Sequence, residues 1–175
     1  MQIILETIWL LLPAGVANTA PVFAARYSWL PALSTPIHAP LLGTHKTVRG
    51  LIVGTVFGSV TGMIQFGVQA FPAIKDISLL PLTTLVLAVL FGGLLGFGAL
   101  LADTAKSFFK RRLRIDPGKS LPIVDQVDST IGALVVAWFF VPLTLAHIVT
   151  AIILFGPISF LVSYVGVKLK IKSSL

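Results

Sequence analysis

Cysteine is absent from this sequence, and charged residues are scarce. Asp, Glu, Lys and Arg make up 11% of the 175 residues, and only six residues are acidic. The lack of cysteine excludes disulfides, thiolate metal ligands and cysteine nucleophiles. A soluble domain carries roughly 25% charged residues, so this chain has too few to cover a surface exposed to water. Together with 56% hydrophobic residues and a mean hydropathy of +0.99, this composition indicates an integral membrane protein.

The net charge of +7 does not predict a nucleic-acid partner. Helical membrane proteins concentrate Lys and Arg in their cytoplasmic loops, which explains the excess without nucleic acid. The partner predicted by the composition is the membrane itself.

The apolar segments predict an all-α, polytopic membrane protein with five transmembrane helices in one domain, residues 1–175. The predicted helices are 3–25, 51–71, 79–101, 129–146 and 148–167, with cytoplasmic loops at 26–50 and 102–128. The first segment has no Lys or Arg before Glu6, which is atypical of a cleaved signal peptide. The apolar run 131–167 is too long for one crossing and is divided near Pro142, where we expect His147 to be solvated.

The distribution of basic residues predicts the orientation. Five helices place the ends of the chain on opposite sides, and twelve of the thirteen Lys and Arg residues then share one side. Only Lys75 lies on the other side. Because Lys and Arg favour the cytoplasmic side, the N-terminus is predicted outside and the C-terminus in the cytoplasm.

One segment, 102–132, holds most of the charge. It contains four of the six acids and six of the thirteen bases. The acids are Asp103, Asp116, Asp125 and Asp128, and the bases are Lys106, Lys110, Arg111, Arg112, Arg114 and Lys119. A salt-bridged surface loop is one interpretation, although exposed ion pairs contribute only about 0–1 kcal/mol each. A site for a metal-bound polyphosphate requires both signs of charge, and we favour it.

The spacing of these residues predicts a common face. If helix three continues beyond the membrane, Asp103, Lys106 and Lys110 lie at i, i+3 and i+7. Asp125 and Asp128 are three residues apart at the start of helix four, so their carboxylates can converge. Mg²⁺ prefers oxygen ligands and is typically held by one or two carboxylates together with substrate phosphates.

Several motifs resemble a known family. K-R-x4-D-P-G at 110–118, followed by D-Q-x-D at 125–128, is similar to the signature of membrane CTP:phospholipid cytidylyltransferases. PAGVANTAPV at 13–22, GTHKTVRG at 43–50, DTAKSFFKRRL at 103–113 and PGKSLPIVDQVDS at 117–129 resemble the CDP-archaeol synthases in particular. The resemblance spans the whole chain.

The resemblance implies a magnesium-dependent transfer of CMP from CTP to 2,3-bis-O-geranylgeranylglycerol 1-phosphate, giving CDP-archaeol and pyrophosphate at the cytoplasmic face of the cell membrane. The implied catalytic residues are Asp103, Lys106, Asp125 and Asp128, and the three aspartates are also the implied metal ligands. The implied substrate-binding residues are Asn18, Lys46, Thr47, Arg49, Ser107, Lys110, Arg111, Arg112, Pro117, Gly118 and Gln126. We also expect a lateral groove between helices through which prenyl chains enter from the bilayer.

Two alternatives stay open at this point. Another lipid or polyprenyl phosphate can be the acceptor, because acceptor choice depends on the shape of the groove. A small, non-enzymatic transporter is less favoured, since transporters usually show internal repeats or ionisable residues at mid-membrane.

Overall fold

The computed structural model describes residues 1–79, 82–115 and 124–168, and its regular elements are all helices. They are α1 (Gln2–Arg26), a 3-10 turn (Pro31–Leu33), α2 (Ala39–Leu42), α3 (Val48–Val68), α4 (Pro72–Lys75), α5 (Leu85–Arg112), α6 (Val124–Trp138) and α7 (Leu145–Lys168). The prediction of an all-α protein is therefore confirmed for the described ranges.

Four of these helices, α1, α3, α5 and α7, are long and apolar enough to cross a membrane. The described part of α6 has 15 residues and packs against α1, α5 and α7. Helix α5 is central, because it also contacts α1 and α3. The number of crossings and their orientation stay predictions.

The predicted loop at 102–128 is wrong at both of its ends, because α5 runs on to Arg112 and α6 already begins at Val124. Residues 102–112 contain neither Gly nor Pro, and the Thr104 hydroxyl donates to the carbonyl of Leu100, one turn back in the same helix. The high charge of this segment predicts a loop, but charged residues such as Lys, Arg and Glu also have good helix propensity. The charged side chains of residues 103–112 therefore project from a helix.

Two other helix starts were also misplaced, and side-chain caps explain both. The Thr84 hydroxyl accepts a hydrogen bond from the Leu87 N–H, so α5 begins at Leu85 rather than at 79. The Thr47 hydroxyl accepts from the Gly50 N–H, so α3 begins at Val48 rather than at 51. Thr at this position satisfies an N–H group that the helix leaves unpaired.

The turn between α6 and α7 lies at residues 139–144, a few residues earlier than predicted, and includes Pro142. His147 therefore belongs to the first turn of α7, and the expectation that it is solvated is wrong. Its side chain is buried and lies between Thr144 and Glu6, with Nε2 3.0 Å from the Glu6 carboxylate. Because the Thr144 backbone N–H donates to Nδ1, Nε2 carries the proton and donates to Glu6.

Helices α3 and α5 pack closely against each other at glycine residues. Gly58 faces Gly92, and a Cβ added at Gly58 would lie 2.7 Å from the Gly92 carbonyl oxygen. Gly54 and Gly62 extend the same ridge along α3. Small residues at such positions let two membrane helices pack backbone against backbone, as the GxxxG spacing in α3 predicts.

We expect Gly58→Ala to lower the free energy of unfolding in detergent by about 1–3 kcal/mol, since the added methyl group meets backbone that cannot move aside. Gly67→Ala is the matched control on the same helix, because a Cβ there meets nothing within 4 Å. Equal stability of the two variants in a denaturant titration would contradict the close approach.

Candidate active site

Three segments meet at one end of the bundle: the C-terminal turns of α5, the start of α6 and the chain just before α3. Lys46, which precedes α3, forms an ion pair with Asp103 on α5. Asp125 and Asp128 project from the first turns of α6. The i, i+3 spacings place the charged side chains of each helix on one face, as the sequence predicted, and the packing of α5 against α6 brings the two faces together.

Lys106 lies at the centre of this group. Its Nζ is 3.0 Å from an oxygen of Asp103, 3.1 Å from one of Asp125 and 2.6 Å from one of Asp128. The Lys106 side chain is 14% exposed and that of Asp128 is 8% exposed. The three carboxylates therefore converge on a single ammonium group that is largely shielded from solvent. We call these four residues the Asp–Lys cluster.

Lys110 extends the cluster by one turn of α5. Its Nζ lies 3.1 and 3.3 Å from the two carboxylate oxygens of Asp125, and the residue is buried. With Lys46 and Lys106, three ammonium groups face the three carboxylates, so the charges balance. Removing one residue of such a buried network leaves the opposite charge unpaired in a medium of low dielectric constant, which lowers the stability of the protein.

The donor set of the cluster fits Mg²⁺ chemically. One oxygen from each of three carboxylates lies within 3.1 Å of the same point, the Lys106 Nζ. Within the described residues, no three or more His, Asp or Glu side chains are arranged to hold a metal ion by themselves, and the Lys106 ammonium lies among the carboxylate oxygens. Mg²⁺ needs only one or two carboxylates when substrate phosphates complete its shell, so the cluster suits a metal that arrives with a nucleotide.

Two further predicted residues have buried polar atoms. Gln126 Oε1 and Arg111 Nε each make no hydrogen bond with any residue within the described ranges. Buried polar atoms are usually paired, so each is a candidate for a contact with substrate.

Other predicted substrate residues have partners within the protein. Ser107 donates to the Asp103 carbonyl, the Arg112 guanidinium lies 5.2 Å from the centre of the Phe108 ring, and Arg49 donates to the Trp29 carbonyl. Thr47 caps α3, as described above. Pro117 and Gly118 lie outside the described residues, as do Asp116 and Lys119.

Asn18 links the cluster to a second feature. Its Nδ2 donates to the hydroxyl of Ser129 at 3.3 Å, and Ser129 follows Asp128 directly on α6. Both residues also line a cavity of about 900 Å³ that is bounded by α1, α6 and α7. The Asp–Lys cluster and this cavity therefore adjoin through the Asn18–Ser129 pair.

The cavity is largely apolar. Along α1 its lining extends from Ile8 to Phe23, and on α7 it includes Phe155 and Ser159. A span of fifteen residues on a helix corresponds to about 22 Å, so the cavity is long as well as apolar. The sequence predicted a lateral groove for prenyl chains but none of its lining residues, because nothing in a uniformly apolar run marks which side faces a cavity. Asn18 was predicted to help hold CTP in a polar cavity, whereas here it lines the apolar one.

An aromatic stack forms one edge of the cavity. The Trp29 ring stacks on Phe57 at 6.0 Å and on Tyr27 at 6.4 Å, and Trp29 and Phe57 both line the cavity. Ser28 and Leu30, on either side of Trp29, have φ angles of 51° and 47°. Non-glycine residues adopt this left-handed conformation at a cost and mostly where the surroundings enforce it. Sequence reasoning missed Trp29, and no motif marks it.

These features define a class of protein: a membrane-embedded enzyme in which a charged cluster suited to phosphate and metal adjoins a cavity suited to lipid. Comparison with known proteins agrees. All 175 residues match the family model described as "CarS-like: CDP-archaeol synthase". A solved structure of an intramembrane enzyme for archaeal membrane lipid biosynthesis superimposes with a TM-score of 0.69 over 93% of each chain, at 29% identity.

Individual relatives carry the same description. The CDP-archaeol synthase of Aeropyrum pernix is 38% identical over 135 residues, which are 77% of this chain and 70% of that protein. The one from Methanocaldococcus jannaschii is 29% identical over 180 residues, covering 98% of this chain and 96% of its own length. The chain belongs to the CDP-archaeol synthase family, so it is a nucleotidyltransferase, and the predicted resemblance is confirmed.

Proposed function

We propose that this enzyme transfers CMP from CTP to 2,3-bis-O-geranylgeranylglycerol 1-phosphate in a magnesium-dependent reaction that releases pyrophosphate. The observation that carries the proposal is the junction at Asn18 and Ser129, where the Asp–Lys cluster meets the apolar cavity. An enzyme that joins a water-soluble nucleotide to a lipid phosphate needs a polar and an apolar site in contact.

The lipid phosphate is an anion at neutral pH, so its oxygen can attack the α-phosphorus of CTP without a strong general base. Catalysis then consists mainly of placing the two phosphates in line and stabilising their charge. Lys46, Lys106 and Lys110 are the ammonium groups available for this. Arg111, whose Nε has no partner among the described residues, supplies a further donor.

The metal ion belongs with Asp103, Asp125 and Asp128 in this proposal. When bound, Mg²⁺ neutralises the triphosphate and helps pyrophosphate to leave. The aspartates would hold it at the cluster end of the bundle, on α5 and α6. Gln126, on the first turn of α6, is proposed to contact the nucleotide, since its buried Oε1 has no hydrogen-bond partner among the described residues.

The apolar cavity is proposed to receive the isoprenoid chains. Lipid tails are as apolar as the cavity wall, so transfer from bilayer to cavity gains little hydrophobic free energy. Selectivity must then come from shape and from the polar end of the cavity. Phe155 and the Trp29–Phe57 stack shape the walls, while Asn18 and Ser129 lie where the glycerol phosphate would enter the cluster.

We further propose the orientation predicted from the sequence: five crossings, an external N-terminus and a cytoplasmic active site. Lys46, Lys106 and Lys110 all lie at the cluster end of the bundle. The Glu6–His147 pair joins the N-terminal ends of α1 and α7, so these two helices begin on the same side. Basic residues gathered at one end support a cytoplasmic location of that end.

The test is a reconstituted reaction. Purified protein in detergent is incubated with radiolabelled CTP, Mg²⁺ and either the geranylgeranyl ether phosphate, a straight-chain diacylglycerol phosphate or a polyprenyl phosphate. We expect a CDP-lipid and an equal amount of pyrophosphate with the first acceptor, and loss of product when EDTA replaces Mg²⁺. Faster turnover of another acceptor would reassign the substrate, and absence of nucleotide transfer to all three would refute the proposal.

A further inference from the structure

The Lys106 ammonium group occupies the point on which the three carboxylates converge. Among the described cations it is the one that contacts Asp103, Asp125 and Asp128 together, at 3.0, 3.1 and 2.6 Å. Lys110 contacts the carboxylate of Asp125, and Lys46 that of Asp103. Lys106 thus neutralises the centre of the cluster, where three like charges would otherwise repel one another.

A divalent cation that binds these oxygens competes directly with Lys106. Two positive charges cannot both sit within about 3 Å of the same carboxylate oxygens without strong repulsion in a largely buried site. The lysine side chain has a flexible four-carbon stem and three rotatable donors. It can leave the carboxylates if another anion is within reach, and the triphosphate of a nucleotide is such an anion.

We propose that Lys106 is an exchangeable counter-cation: it holds the three aspartates together and yields their oxygens to the metal when nucleotide phosphate offers its ammonium a new partner. This inference rests on the proposed metal-dependent function. It makes metal binding and nucleotide binding interdependent, so that the metal alone binds weakly and the pair binds well. Lys106 then couples the binding of the two ligands, because its ammonium contacts the carboxylates in one state and the nucleotide phosphate in the other.

The first test measures metal affinity without nucleotide. Mn²⁺ binding to the purified protein is followed by electron paramagnetic resonance for the wild type, Lys106→Met and Lys106→Gln. We expect the neutral variants to bind Mn²⁺ at least tenfold more tightly, because their carboxylates no longer have a competing cation. Arg114→Asn is the control for loss of a nearby exposed charge, since Asn tolerates the left-handed backbone of this residue. It should change the affinity less than twofold.

The second test needs no variant, and so decides the matter even if neutral residues at 106 prevent folding. Wild-type protein is treated with an amine-acetylating reagent with and without Mn²⁺ and a non-hydrolysable CTP analogue, and each lysine is quantified by mass spectrometry. Acetylation of Lys106 should rise at least threefold with Mn²⁺ alone at saturating concentration and fall again when the analogue is added. Lys75, exposed and outside the cluster, is the internal reference.

The outcomes separate this inference from the proposed function. Asp128→Asn should weaken Mn²⁺ binding in both the wild-type and the Lys106→Met backgrounds. One outcome refutes the exchange but keeps the metal site: Asp128→Asn weakens Mn²⁺ binding, yet the Lys106 variants bind Mn²⁺ no more tightly than the wild type and acetylation of Lys106 does not change with the metal. If Asp128→Asn changes nothing in either background, the metal site itself is refuted.

Discussion

Asp128→Asn is expected to reduce the rate of CMP transfer by roughly 10²-fold or more, because carboxylates that hold or orient a catalytic metal typically contribute factors of this size. Asn keeps the size of the side chain and removes its charge. Asp128 is the most buried of the three aspartates, and its oxygen is the one closest to Lys106, at 2.6 Å. Asp125→Asn should have an effect of the same order, since Asp125 contacts both Lys106 and Lys110.

The matched control is Asp76→Asn. Asp76 is exposed and follows α4, outside the cluster. This variant should retain wild-type turnover. Circular dichroism and thermal unfolding of each variant would distinguish lost catalysis from lost folding. Near-normal turnover by a folded Asp128→Asn protein would show that the charge of Asp128 is not needed for the reaction and would contradict the proposed role of the cluster.

Gly15→Trp is expected to block the acceptor without disturbing the nucleotide site. Gly15 lines the apolar cavity, and a Cβ there meets only Phe155, at 3.9 Å, so the position opens into free space. An indole ring in that space would compete with an isoprenoid chain. Displacing the reacting phosphate by about 1 Å can cost a factor of 10² in rate, and we expect turnover to fall by at least about tenfold while the affinity for CTP stays unchanged.

Gly15→Ala controls for the loss of glycine, since a methyl group at 3.9 Å from Phe155 makes an ordinary contact. It should behave like the wild type. The rate should be measured over a range of acceptor concentrations, with nucleotide binding followed separately by calorimetry. If Gly15→Trp turns over the acceptor normally, the chains do not occupy this cavity.

The convergence of the charged side chains could be predicted from the sequence, while their roles in the reaction stay predictions. Asp103 and Lys106 are three apart on α5, and Asp125 and Asp128 are three apart on α6, so each pair had to share a helix face. That the two faces meet at Lys106 depends on how α5 and α6 pack, which spacing within one helix does not determine.

The errors have two physical causes. The misplaced helix ends depend on local hydrogen bonds, such as the caps of α3 and α5, whose partners lie three residues away, whereas the missed contacts of Trp29 and His147 join residues far apart in the chain. The sequence marks the charged residues 102–112 as polar but does not show that packing and i, i+4 hydrogen bonds keep them helical. Trp29 reaches Phe57 through two left-handed residues that no propensity scale favours. The sequence predicted that His147 contacts water, but its Nε2 lies within hydrogen-bond distance of the Glu6 carboxylate, 141 positions earlier in the chain.

The Glu6–His147 contact has a consequence for biosynthesis. His147, the partner of Glu6, is made 141 residues after it, which corresponds to roughly 7–28 s of translation at 5–20 residues per second. Throughout that interval the carboxylate of α1 must be satisfied by water or by another group, since an unpaired charge in the hydrocarbon is costly. The start of α1 is thus expected to stay near the membrane surface until α7 emerges, so that a helix made much later fixes the position of α1.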